Sequence, residues 1–320
     1  MLYAFRSSPA GLQPMPPTDQ DLSQAIWIDL LSPQAAQVDE VEALGVDVPE
    51  LPDMEELQLS SRLYRLNGTN YMTVVLPGLA TDGRRLSRPL CLVLGPDRLV
   101  TVRYHAPDAF RAYPERAGQS GAGCDTPARV CLGLLEELVD QLSDTLEEIG
   151  RALDTTSSEV FDGGNLNRTV MLQRALETTG RFGVHIGAVR HSLLTLERAV
   201  NYLEQFPTDV TEAKTIKRLL VGQIRDITAL EVHADYLAAR ASVVADATLG
   251  MISLEQNKSV SMLSALVALF APAMLIASIY GMNFQWMPEL DSKWGFVLAL
   301  AGMGVSGVVT FLFFKKRGWM

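Results

Sequence analysis

The constraint that decides most about this chain lies near its C-terminus, where no charged residue occurs between Lys258 and Glu289. Within that stretch, Ser259 to Tyr280 (SVSMLSALVALFAPAMLIASIY) is 22 residues long. As a helix rising about 1.5 Å per residue, such a segment crosses a hydrocarbon core of about 30 Å. A second charge-free run, Trp294 to Phe314, is 21 residues long and stops at Lys315-Lys316-Arg317. The two runs predict a hairpin of transmembrane helices. The charge-free run Leu66 to Thr81 does not compete with them, because Asn67, Gly68, Asn70 and Pro77 interrupt it and its apolar residues alternate as in strands.

Charge sets the expected orientation. Lys258 precedes the first span and Lys315, Lys316 and Arg317 follow the second, whereas the link between them holds only Lys293 with Glu289 and Asp291. By the positive-inside rule both termini are cytoplasmic and residues 281–293 form a short external loop. MLYAFRSSPAG at the N-terminus has no basic region followed by an apolar core, so no signal peptide is expected, and a bacterial inner membrane is the expected location. The net charge of −10 is uneven: residues 257–320 hold five basic and two acidic residues (+3), which leaves 22 basic and 35 acidic residues (−13) before them. An acidic body of this kind repels nucleic acid and attracts cations.

The body divides in two. Residues 1–125 read as an α/β domain, with strands expected at Leu2–Arg6, Ala25–Leu31, Arg62–Leu66, Tyr71–Leu76, Leu90–Leu94 and Leu99–Tyr104. Asn67-Gly68 is a hairpin turn signal, and Ser32-Pro33 predicts a helix start with Ser32 as N-cap. From Thr126 the period becomes helical, with Leu132, Leu135, Leu138, Leu142, Leu146, Ile149 and Leu153 on one stripe. Breaks at Phe161–Asn167 and Pro207–Asp209 separate three long helices. The third carries Leu220, Ile224, Ile227, Leu230, Ala234, Leu237, Ala241, Val244, Thr248 and Met251 at three- and four-residue spacing and meets no proline before Pro272. It therefore predicts one rod from Thr211 to Tyr280, roughly 100 Å long. The expected class is an α+β membrane protein: an α/β domain (1–125), a long-helix bundle and stalk (126–257) and the transmembrane hairpin (258–320).

Several chemistries find no support. Cys91, Cys124 and Cys131 lack the spacing of a disulfide framework or zinc site, and His105, His185, His191 and His233 form no His-x-x-x-His pair. Gly302-Met303-Gly304-Val305-Ser306-Gly307 matches G-x-G-x-x-G, but it lies inside the second span and follows no strand. Gly302 and Ser306, four residues apart, instead suit close helix packing in lipid. No Walker loop, G-x-S-x-G or H-E-x-x-H is present. A non-enzymatic protein without a cofactor is expected.

The first span closes on Tyr280-Gly281-Met282-Asn283-Phe284, and Met287-Pro288-Glu289-Leu290 follows. This string, placed between two C-terminal spans and trailed by basic residues, closely resembles the CorA family of magnesium channels. The resemblance extends over the α/β domain, the long helices and Leu254-Glu255-Gln256-Asn257, and so over essentially the whole chain. It implies a homopentamer in membrane lipid whose first spans line a pore. In that arrangement Asn283 is the main ligand of an outer filter and Gly281 supplies a backbone carbonyl. Mg²⁺ dehydrates reluctantly, and a ring of amide and carbonyl oxygens accepts hydrogen bonds from its waters without stripping them. Co²⁺ and Ni²⁺ are expected to pass as well, and Mg²⁺ is expected to act as both transported and regulatory ion.

Following a 3.5-residue repeat inward from the filter gives Ser278, Met274, Ala271, Val267, Ser264 or Leu263, Val260, Asn257, Ser253 and Asp246. The stripe reads as filter, apolar neck gated by dewetting, and polar inner pore at Asn257 and Asp246. Glu289 in the external loop is placed either to concentrate cations or to hold the loop in shape. Two other readings fit the same chain: a ZntB-like zinc transporter, a related branch with possible proton coupling, and a membrane-anchored scaffold or cation sensor.

Overall fold

A computed structural model describes residues 1–9, 11–16, 21–56, 62–79, 85–162, 168–205, 210–282 and 293–317. Its strands are β1 (Leu2–Ser8), β2 (Gly11–Pro14), β3 (Trp27–Leu31), β4 (Leu63–Leu66), β5 (Thr69–Leu79), β6 (Arg85–Leu94) and β7 (Leu99–Arg103). Short helices α1 (Ala35–Glu42), α2 (Leu51–Glu55) and α3 (Ala109–Arg116) accompany them. Four long helices follow: α4 (Pro127–Phe161), α5 (Arg168–Glu204), α6 (Val210–Tyr280) and α7 (Gly295–Arg317). The chain forms two compact units, Met1–Ser158 with Glu177–Val244, and Glu159–Leu176 with Ala245–Met320.

In the first unit the strands form one mixed sheet in the order β2-β1-β3-β7-β6-β5-β4. Among the described residues only β3 and β7 pair in parallel, and the other neighbouring pairs are antiparallel. Along the central strands, alternate side chains enter opposite cores, as the two-residue period of a strand requires. Leu90, Leu92 and Leu99 join a core with Leu135, Leu142, Leu196 and Ile227 of the long helices, while Cys91, Val93, Val100 and Val102 join one with Val41, Val46 and Met54 beneath the short helices. The sheet is thus covered on both faces, and β7 is buried throughout.

Local signals explain most element boundaries. Asn67 (φ 49°) and Gly68 (φ 85°) turn β4 into β5, both in the left-handed region that a two-residue hairpin needs. Thr126 Oγ1 accepts from the Arg129 amide at 3.4 Å and Pro127 occupies the first position of α4. The expected start of α1 was displaced: Ser32 adopts φ 44° and its amide donates to the Arg103 carbonyl, so the helix begins at Ala35 behind Gln34. Gln34 and Gln37 supply the cap there, with the Gln34 amide donating to Gln37 Oε1 at 3.1 Å.

A buried polar chain crosses the middle of the sheet. Trp27 Nε1 donates to Thr101 Oγ1 at 3.1 Å, Thr101 Oγ1 donates to Asp29 at 2.8 Å, and Arg103 pairs with Asp29 through Nε and a terminal nitrogen at 2.8 Å. Arg103 also donates to the His105 carbonyl at 2.9 Å and lies 4.5 Å from the centre of the Phe110 ring. The backbone of β5 approaches His105 so closely that a Cβ on Gly78 would come within 2.6 Å of its ring.

Burial, reinforced by Arg103 and Arg88, lowers the His105 pKa to about 4. The unfolded chain, with an ordinary histidine near pKa 6.5, therefore binds a proton that the folded chain refuses between those values. Stability held above pH 6.5 is lost as the pH falls toward 4, by on the order of 3 kcal/mol. His105→Leu is expected to flatten the fall of the thermal midpoint across this window, measured in detergent; an unchanged slope would place its cause elsewhere.

Candidate ion pathway

The rod expected from periodicity is present: α6 is continuous over its 71 residues, through Gly250 and Pro272. Its apolar stripe is buried in the first unit at Leu220, Ile227, Ala234, Leu237, Ala241 and Val244. Both α6 and α7 contain windows apolar enough to cross a membrane, and almost none of the residues in those windows is buried. Soluble cores bury such helices; an apolar helix exposed over its length requires lipid or another protein around it.

Within the second unit, α6 divides its apolar surface between two faces. Ala265 is 1% exposed, and Ala268, Leu269, Pro272, Ala273 and Ile276 are half-buried. Leu269 and Ala273 line a groove of about 380 Å³ with Met303, Gly304, Gly307 and Val308, which identifies this face as the one turned to α7. Gly302 contributes there as well, because a Cβ at that position would sit 3.9 Å from Ile276 Cδ1. Alanine therefore fits. Gly302→Leu places three further carbons against Ile276 and is expected to lower the yield of assembled protein severalfold by size-exclusion chromatography, with Gly302→Ala close to wild type.

The other face carries the stripe read from the sequence. Val260, Leu263, Val267 and Met274 are 61–68% exposed, and Ala271, Ser278, Asn257, Ser253 and Asp246 are exposed on the same side. Val267, Ala271, Met274 and Ser278 line a shallow groove of about 580 Å³ together with Leu266, Phe270 and Leu275. Chemically the face is polar at Ser278, apolar from Met274 to Val260, and polar again from Asn257 to Asp246.

At the C-terminal end of α6, the Gly281 amide donates to the carbonyls of Ala277 (3.0 Å) and Ser278 (3.2 Å), and the Met282 amide donates to the Ile279 carbonyl (3.2 Å). The helix tightens here as helix ends do. A Cβ at Gly281 would press within 3.3 Å of the Ala277 carbonyl oxygen. Asn283, Glu289 and Asp291 lie outside the described residues. At the other end, Lys315, Lys316 and Arg317 occupy the last turn of α7, where basic residues also oppose the negative end of the helix dipole.

Among the described residues no group of three or more histidine, cysteine or acidic side chains is arranged to hold a metal ion. The acidity of the first unit is instead spread along helices. Burial raises the Asp140 carboxyl above its ordinary range, with Asp144 and Asp226 adding to the shift, and burial likewise raises Glu231 beside Glu197 and Asp235. Sequence reasoning missed Arg168, which pairs with Glu255 from a different helix. No periodicity links those two positions.

A family model described as CorA-like Mg²⁺ transporter protein matches residues 23–316. The magnesium transport protein CorA of Haemophilus influenzae is 28% identical over 326 residues, covering 100% of both chains. Among solved structures, the complete CorA magnesium transporter of Methanocaldococcus jannaschii matches with a TM-score of 0.74 at 16% identity, covering 100% of this chain and 99% of that one. The ZntB cytoplasmic domain of Vibrio parahaemolyticus matches with a TM-score of 0.54 at 13% identity, over 80% of this chain and 97% of that one.

Proposed function

The chain belongs to the CorA family of Mg²⁺ transporter proteins, and from that membership we propose that it is a homopentameric channel admitting hydrated Mg²⁺ down the electrochemical gradient. Co²⁺ and Ni²⁺ follow the same route. The observation that carries this reading is the exposed stripe from Ser278 to Asp246 on one unbroken helix, on the side away from α7. Two spans cannot enclose a pore alone, so several copies of α6 must surround one.

In this arrangement Asn283 and the carbonyl of Gly281 form the outer filter and accept hydrogen bonds from water bound to the ion. Met274, Ala271, Val267, Leu263 and Val260 form a neck that blocks ions when it empties of water, and Asn257 and Asp246 receive the ion inside. Glu289 raises the cation concentration at the outer mouth. Both termini lie in the cytoplasm and the hairpin sits in the inner membrane, so the acidic first unit is cytoplasmic and lets intracellular Mg²⁺ regulate its own entry. The support for this orientation is the cluster of basic residues at the inner ends of the spans.

The test is rescue in cells. Expression in a bacterial strain stripped of its own Mg²⁺ uptake is expected to restore growth in limiting Mg²⁺. Failure of a correctly inserted, abundantly expressed protein to do so would overturn the proposal.

A further inference from the structure

Within the second unit, α6 is held at one place by the paired ends of α4 and α5. Val160 of α4 and Leu172 and Ala175 of α5 form a separate buried cluster, and Met171, Met251 and Ile252 pack against it. Beside this cluster Arg168 Nε pairs with Glu255 Oε1 at 3.5 Å, and the same guanidinium donates to Met251 Sδ at 3.7 Å. The two charged side chains are 21% and 31% exposed, which leaves their attraction less screened than that of a surface pair.

Two features set this contact apart from ordinary helix packing. Arg168 belongs to α5 but sends its guanidinium to two residues of α6, Glu255 and Met251, and so adds a polar tie to an otherwise apolar contact. The grip also has a direction. At about 100° per residue, the turn bearing Met251, Ile252 and Glu255 faces away from Ser253, Asn257 and Val260. The first three are half-buried and the last three exposed.

We infer that Arg168 and Glu255 are positioning residues for the inner mouth of the channel: by drawing one side of α6 toward the α4–α5 ends, they hold the opposite, Asn257-bearing side back from the pore axis. This rests on the channel reading above. Without the pair, the α6 helices of the assembly settle inward at Asn257 and the mouth narrows.

The test compares Arg168→Glu, Glu255→Arg, the exchanged pair Arg168→Glu/Glu255→Arg, and Arg168→Lys in liposomes loaded with a Mg²⁺ dye. Each charge reversal is expected to slow Mg²⁺ entry by about threefold or more, since it replaces a part-buried attraction by repulsion. The exchanged pair and Arg168→Lys are expected to restore most of the rate. Spin labels placed through Asn257→Cys are expected to report shorter distances between subunits in Arg168→Glu than in its parent. Conduction by wild type with unaltered rates in both reversals, or slowed reversals that the exchanged pair does not rescue, would overturn the clamp. Absence of Mg²⁺ entry through assembled wild type would instead overturn the channel reading.

Discussion

Asn283→Ala is expected to abolish Mg²⁺ entry while leaving synthesis, membrane insertion and assembly intact. The expected loss is at least about a hundredfold, because every copy in the proposed ring loses the same side-chain acceptor and leaves the Gly281 carbonyl as its remaining filter ligand for the waters of a hydrated divalent ion. Asn283→Asp tests the chemistry behind the number. A ring of carboxylates attracts the ion more strongly than a ring of amides and releases it more slowly, so binding at the outer mouth should tighten as throughput falls. Uptake measured on variants matched for surface expression decides the matter; wild-type rates in Asn283→Ala would remove Asn283 from the filter.

Arg103→Ala has the largest effect expected on stability. Asp29 is 3% exposed and loses its charged partner in this variant, which costs about 3–5 kcal/mol when a buried carboxylate is left unpaired. The damage spreads because Thr101 and Trp27 are tied to the same carboxylate through successive hydrogen bonds. Asp29→Asn/Arg103→Met removes both charges and keeps an acceptor for the Thr101 hydroxyl, so it should recover at least half of the loss. Thermal unfolding in detergent, followed by tryptophan fluorescence, provides the comparison. A double variant no more stable than Arg103→Ala would show that packing on Phe110, rather than charge compensation, sets the cost.

The parts of the fold legible in the sequence are those where one physical demand acts over many residues. Lipid requires twenty or so consecutive uncharged positions, and that requirement alone delimits the hairpin. A helix packed along one side repeats its apolar residues every three or four positions, which is why α6 could be followed from Thr211 to Tyr280 and is found over Val210–Tyr280. Asn67-Gly68 was legible because only certain residues tolerate the left-handed backbone of that turn.

What escaped reading depends on distant partners. Strand β2 has four residues, too few to show a period, and owes its conformation to pairing with β1. Ser32 carries a capping side chain but is diverted by the Arg103 carbonyl. Asp29 and Arg103 meet because β3 and β7 lie side by side in parallel, and Arg168 meets Glu255 only because two helix ends pack on a third. The stripe from Ser278 to Asp246 was legible as a repeat, and its residues are exposed on one side of α6. A face turned to a dewetting neck and one turned to lipid share the same apolar chemistry, so ion flux, and not composition, is what can assign the stripe to a pore.

That flux is the most direct test of the central claim. Purified protein in liposomes holding a Mg²⁺ dye and a pH dye, with the membrane potential clamped negative inside, is given Mg²⁺ or Zn²⁺ outside. The channel account predicts potential-driven Mg²⁺ entry with no change in internal pH. Zn²⁺ entry that moves together with protons, or no flux of either ion through verified assemblies, would contradict it.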